Sequence, residues 1–447
     1  MGPGTLIDLD LEPAGTRPSG PAPGPRWRRG LAVAVATAAC ATALVSSTAL
    51  PAARLVETAT IGNLPVVTER VAGARLFVLG GAGDGAGDGA ARLTAFRLAD
   101  GGRLWQTPVA VNPAARVEVV GDTVLLTAEV TVALDAGSGR LLWRSDLPRV
   151  SMAVHDGRVL VAALLDRPDP AGPSLSIHAP LLVRALNLRT GQPVWSYQVP
   201  GGWLTALPAD PADADPSDRF VVIAPDGQAS AVDLATGAVR ANATIPVTQA
   251  ALDENTAGPW LALLGNQLVV GYLRQGSPAL TIYRTDTLAP QWTETVPTLN
   301  VAVNRCAPLL CLSDTRGVRA VAAATGTGVW ARNGTAWFGV VDGWLYDAPQ
   351  PFQPGSARLV DPVTTRTVLD LGRWRLSTQT PGQPPLFEWV EKDSGRIWLG
   401  LLAAGQRIQV LGAVTGLPQD TCDLGASYVA CVTTTQQVRI WRYRSVP

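Results

Sequence analysis

"LDAGSGRLLW", residues 134–143, decides how the chain is read. The apolar alternation VTVALD runs into Asp135 and reads as a half-buried strand of period two. The Asp135 carboxylate can accept from backbone N–H groups two or three residues ahead and so close a turn. Gly139 supplies the positive φ at which the chain reverses. The strand after it carries Trp143, a ring large enough to seal one sheet against its neighbour. Upstream, VEVVGDTVLLTA gives two more strands about a Gly121-Asp122 hairpin turn, so the unit holds four strands.

The unit recurs along the chain. AFRLADGGRLW ends at Trp105, and ALNLRTGQPVW carries Gly191 and ends at Trp195. Asp233 and Gly237 belong to DLATGAVR, and Asp286 opens DTLAPQW, which ends at Trp292. AVAAATGTGVW carries Gly326 and ends at Trp330, Asp361 opens the degraded DPVTTRTVL, and VLGAVTGLPQ surrounds Gly416. The turns fall at Gly102, Gly139, Gly191, Gly237, Ala289, Gly326, Thr365 and Gly416, at intervals of 37 to 52 residues, the blade period of a propeller being about 40 to 50. PLLCLSDTRGVRAVAAATGTGVW repeats the whole layout almost without insertion. Outside residues 31–50 no 3.6-residue period is sustained. The expectation is an all-β β-propeller over residues 54–447, of about eight four-stranded blades, with seven as the alternative. YVACVTTTQQVRIWRYR offers two strands at the end and residues 54–67 one at the start. Pairing the chain ends in one blade would remove the free sheet edges.

Composition narrows the function. The chain is 47% hydrophobic and 16% charged, so it can bury a core. Its 36 basic residues balance its 36 acidic ones, which gives no footing for nucleic acid. The one lysine, Lys392, leaves little room for Schiff-base or phosphate-loop chemistry, and two histidines, His155 and His178, are too few for a histidine metal site. With 45 Gly, 36 Pro and 14 Trp, turns and wedging rings dominate.

The N-terminus reads as an anchor. Residues 1–30 form a hydrophilic tail ending in PRWRRG, and residues 31–50 are uncharged and span about 30 Å as a helix, enough for a bilayer core. Arg26, Arg28 and Arg29 predict a cytoplasmic tail and an extracytoplasmic propeller. A signal peptide cleaved near Ala49, Ala52 or Ala53 is the alternative, and a lipid-bearing Cys40 a third reading; all three export the chain. Cys306 with Cys311, and Cys422 with Cys431, lie as close pairs about turns into strands. In an oxidising compartment they read as two local disulfides, against four free buried thiols.

The pattern Asp-x-x-(Thr/Ser)-Gly-x-x-x-Trp resembles the repeat of the pyrroloquinoline quinone (PQQ)-like β-propellers, over roughly residues 60–447. That family includes quinoprotein dehydrogenases, the non-enzymatic outer-membrane assembly lipoprotein propeller and membrane-anchored actinobacterial proteins. Copies five and seven depart from it at the Gly position, which predicts irregular blades there. For the dehydrogenases the resemblance implies a disulfide between adjacent cysteines, a calcium or lanthanide site of Glu, Asn and Asp, and a catalytic Asp. This sequence has no Cys-Cys pair, and no such triad can be matched to it.

Other stretches read as structure. GGAGDGAGDGA (80–90) lacks the Lys-Ser/Thr of a phosphate loop and reads as a hairpin loop. Asp210, Asp213, Asp215 and Asp218 could offer oxygens to Ca²⁺ but lie among prolines, as a solvated loop does. His178 lies in an inserted loop, 166–180, and His155 in a turn. Trp203, Trp260, Trp337, Trp344 and Trp389 fall outside the repeated position, where they either line a sugar- or peptide-binding face or pack between blades. The expectation is a single-pass, membrane-anchored propeller, monomeric outside the membrane. It needs no cofactor or metal, catalyses nothing, and binds a protein or glycan on one face. A quinone-dependent oxidoreductase of alcohols or sugars is the first alternative, and a carbohydrate-binding propeller the second.

Overall fold

The VTVALD alternation folds as β8 (Thr131–Asp135), and every residue from Thr131 to Leu134 is buried. Its neighbour β7 (Thr123–Thr127) is buried throughout, whereas β5 (Arg103–Val109), an outermost strand, alternates. Middle strands of a blade are covered on both faces by adjoining blades, so they bury polar Thr123 and Thr131 along with the apolar residues. The computed structural model describes residues 55–444, apart from 63–64, 82–90, 113, 129, 148, 165–180, 200–203, 208–216, 225, 248–258, 307, 315, 334–336, 349–355, 379–382 and 404–406.

The described strands form nine antiparallel sheets of four. Blade one is β2 (Val66–Ala72), β3 (Arg75–Gly80), β4 (Ala91–Arg97) and β5; blade two is β6 (Arg116–Val120), β7, β8 and β9 (Leu141–Ser145). Blades three to eight repeat this order from β10 (Arg149–His155) to β33 (Arg407–Val414). In the ninth, β34 (Cys422–Leu424), β35 (Tyr428–Val432) and β36 (Val438–Tyr443) take β1 (Leu55–Ile61) as their fourth strand, with Leu55 opposite Tyr443 and Ile61 opposite Val438.

Nine blades replace the eight, or seven, expected from the repeated turn. The turn marks the passage from third to fourth strand, and two blades lack it there. In blade eight, β32 (Arg396–Ala403) and β33 are joined through residues 404–406, Ala-Gly-Gln, which carry no copy. The Gly416 copy follows β33 instead of preceding it. The closing blade has no such turn, because its third and fourth strands are the two ends of the chain. Residues 54–67 also hold more than the one strand expected: β1 enters the ninth blade, and β2, starting at Val66, enters the first.

Blades one, two, three, five and six are sealed by one device. Trp105, Trp143, Trp195, Trp292 and Trp330 lie on fourth strands and cover the turn of the next blade. Their indole N–H groups donate to the carbonyls of Ala136 (3.1 Å), Leu188 (2.8 Å), Leu234 (3.1 Å), Ala323 (2.9 Å) and Pro362 (2.8 Å). The rings lie so close that a Cβ on Gly139 would be 2.4 Å from Trp105, and one on Gly191 2.5 Å from Trp143. Glycine there serves a left-handed turn, φ 71° and 67°, and the passage of a ring. At the closing seam Ala59 stands in the tryptophan's place against Gly101, and Thr58 Oγ1 donates to the Leu98 carbonyl at 3.0 Å.

Residues 1–54, with the tail 1–30 and the apolar run 31–50, lie outside the described residues. Among those described, no helix is long and apolar enough to cross a membrane.

Candidate functional site

The aspartates of the repeat could be chemical or structural, and their partners are those of turns. Asp135 Oδ1 accepts from the N–H of Gly137 (3.1 Å), the N–H of Ser138 (2.9 Å) and the Ser138 hydroxyl (2.8 Å), which hold its carboxyl below the usual range. Asp361 accepts from the N–H groups of Val363 and Thr364, both at 2.8 Å, and Asn187 from those of Arg189 and Thr190, both at 3.0 Å. Burial raises the Asp233 carboxyl. The Thr236 hydroxyl and N–H and the Arg240 guanidinium outweigh it and bring it down to about 2. Asp286 is placed differently. The residue equivalent to Asp135 in the fifth copy is Arg284, whose carbonyl accepts the Leu288 N–H at 2.8 Å, and Asp286 pairs with the Arg284 side chain.

The left-handed residue of each turn is Gly139, Gly191, Gly237 or Gly326 where those were read. In copy one it is Gly101, not Gly102, and in copy five Leu288, not Ala289. Thr365 holds it in copy seven, at φ 59°. Both blades keep four strands; blade five's outer ladder matches the others, whereas blade seven's carries a second register shift, between Ala357 and Arg358.

The cysteines lie in hairpins of first and second strands. Cys306 and Cys311 are bonded, with Cα atoms 5.9 Å apart, at the turn joining β22 (Ala302–Cys306) to β23 (Leu309–Asp314). Cys422 and Cys431 stand directly opposite each other on β34 and β35 and are bonded, with Cα atoms 4.0 Å apart.

Three off-pattern tryptophans, Trp260, Trp344 and Trp389, pack against their neighbours. Trp260 donates to the Leu299 carbonyl at 2.8 Å with its ring over Gly271, and Trp344 lies against the core between blades seven and eight. Trp389 stacks on Trp398 at 5.9 Å and meets the edge of Trp374 at 6.1 Å, with the Arg373 guanidinium 5.8 Å from its centre. Trp203 and the side chain of Trp337 lie outside the described residues, as do His178, Asp210, Asp213 and Asp215. Asp218 is described and pairs with Arg219 at 3.3 Å; His155 ends β10.

One group of carboxylates escaped the sequence reading. A cavity of about 380 Å³ opens between blades eight, nine and one, lined by Val66 to Arg70, Thr378 and Asp420 to Asp423. Burial, then the charge of Asp423, pushes Glu69 up to about 7 against the pull of its own N–H. Burial raises Asp420, and also Glu388, which accepts from Ser377 Oγ (2.6 Å) and the Asp420 N–H (3.2 Å). Asp423 is 5% exposed, takes the Val71 N–H on Oδ2 at 2.5 Å, and has Arg70 3.6 Å from Oδ1. The available signal was a charge inside a short apolar strand, VVTERVA and CDL. Neither charge recurs at a repeated spacing, so the repeat does not mark them.

A calcium-assisted quinone needs a converging set of oxygen donors. Among the described residues no three His, Cys, Asp or Glu side chains converge as metal ligands. At the cavity one Asp423 oxygen already holds an amide, and Arg70 stands by the other. These residues do not fit that cofactor.

Comparison with known proteins agrees with the repeat. The family model described as outer membrane protein assembly factor BamB matches residues 89–332. No curated protein matches the chain in sequence. Among solved structures, BamB from Moraxella catarrhalis is 13% identical, with 73% of this chain and 96% of that one aligned at a TM-score of 0.40. A quinohemoprotein alcohol dehydrogenase from Pseudomonas putida HK5 is 13% identical over 74% of each chain, TM-score 0.40. A europium-containing methanol dehydrogenase is 12% identical over 88% of this chain and 94% of that one, TM-score 0.43. The family match covers more than half of the sequence, and the chain belongs to the PQQ-like repeat propellers of the BamB family.

Proposed function

We propose that the chain is an extracytoplasmic propeller, anchored by residues 31–50, that binds or scaffolds a protein partner through the loops of one face and catalyses nothing itself. The observation that carries this reading is the use made of the repeat's carboxylates. Asp135, Asp233 and Asp361 are held by turn amides, and Asp286 by an arginine, which leaves none of them free for chemistry. Membership of a family described by an assembly factor favours a protein as the partner.

The competing reading is a quinone-dependent oxidoreductase of alcohols or sugars. One experiment separates the two. The full chain is purified in detergent, supplied with the quinone and Ca²⁺, and assayed for dye reduction with alcohols and sugars. The expected result is no turnover above a quinone blank; turnover would overturn the binding reading.

A further inference from the structure

The junction of blades nine and one lacks the device that seals most of the ring. Its inner edge is the contact of β34, three residues long, with β2. Asp423 reaches across it to the Val71 N–H at 2.5 Å, with Arg70 alongside at 3.6 Å. The cavity opens on the inner side of this tether, while Val71 itself packs with Ala430 and Val432 in one apolar cluster behind it. Glu69, two residues from Val71 on β2, lines the same cavity and interacts with Asp423. Other charged groups flank the junction on its neighbours. Asp420 precedes β34, and Arg375 and Glu388 belong to β30 (Arg375–Thr378) and β31 (Leu386–Glu391) of blade eight. Arg116 and Glu118 lie on β6, paired at 3.1 Å.

We propose that this junction is a proton-sensitive latch. While Glu69 holds a proton, the Asp423–Val71 tether keeps β34 against β2; once Glu69 is charged, the two carboxylates repel and the inner edge loosens. The direction follows from Glu69, whose ordinary value of 4.5 rises to about 7 in the folded chain. A carboxyl raised on folding favours the closed junction fully below its ordinary value. That preference is lost as pH rises through the folded one. On the outer edge, where β1 pairs with β36, the one carboxylate, Glu57, is paired with Arg439, so the opening is local.

Hydrogen–deuterium exchange on the full chain tests the latch, with rates corrected for the intrinsic pH dependence of amide exchange. Between about pH 5.5 and pH 8.5, protection of 66–72 and 422–424 should fall about tenfold, while 267–274 in blade five stays constant. Glu69→Gln, which cannot ionise, should hold the junction's protection constant. Protection in the unmodified chain that follows blade five across this range overturns the latch without any variant. So does a Glu69→Gln chain that retains the full loss.

Discussion

Gly191 sits where two demands meet. Its φ of 67° excludes most side chains, and Trp143 passes 2.5 Å from where a Cβ would be. Gly121 meets only the first demand, since at φ 56° nothing lies within 4 Å of its Cβ position. Alanine at Gly121 should therefore cost about 1 kcal/mol, the left-handed penalty alone. Alanine at Gly191 should cost roughly 2 to 4 kcal/mol, because the ring must also be displaced. Thermal unfolding of the two variants checks this, and equal losses would show that the ring is not wedged. At this scale the sequence was largely legible. Asp135, Ser138 and Gly139 announce the turn by chemistry alone, and Trp143 by its size and place. The identity of the ring's partner was not legible. Gly191 lies in the next blade, and no local rule connects them.

At the scale of an element, the seam between blades four and five inverts the rule. On β17 (Val239–Thr244) Ala241 holds the place of the tryptophan, and in the next turn Leu288 holds the place of the glycine, at φ 54° and 1% exposed. Both belong to one apolar cluster with Tyr272 and Tyr283. Elsewhere a large ring meets a residue with no side chain; here a small residue meets a large aliphatic one, and similar space is filled from the other side. The leucine tolerates a left-handed backbone because its side chain is buried by doing so. This explains why copy five looked degraded while its blade is regular. A position-by-position pattern holds only where a ring meets a glycine, whereas every such seam must be filled. Ala241→Trp alone should overpack and Leu288→Gly alone should leave a cavity, each destabilising by roughly 1 to 3 kcal/mol. The double variant rebuilds the arrangement of the other seams. It should recover most of that loss, with a coupling of about 1 to 3 kcal/mol in a double-mutant cycle. Simple addition of the two losses would refute the exchange.

At the scale of the molecule, the blade count was the part least legible in the sequence. EKDSGRIW, residues 391–398, imitates the repeated turn; Gly395 is left-handed and its N–H reaches the Glu391 carbonyl at 2.9 Å. Yet it joins the second and third strands of blade eight, one turn early. The closing blade offers no turn to count because pairing between distant chain ends replaces it. That difference in connection gives the two disulfides unequal work. Chain entropy assigns about 2 kcal/mol to the shorter loop, Cys306–Cys311, and about 3 kcal/mol to the longer, Cys422–Cys431. Blade six is continuous along the chain on both sides, so losing its bridge should cost little beyond the entropic amount. In blade nine the bridge fixes β34, whose three residues carry Asp423 and whose sheet receives β1 without a covalent turn. Loss there should propagate into ring closure. Replacing Cys422 and Cys431 by serine should therefore lower the melting temperature by clearly more than replacing Cys306 and Cys311. It should also expose the β1 segment, 55–61, to limited proteolysis, while the blade-six variant keeps it protected. If both pairs of substitutions lower the melting temperature alike and leave 55–61 protected, ring closure does not depend on the bridge in the closing blade.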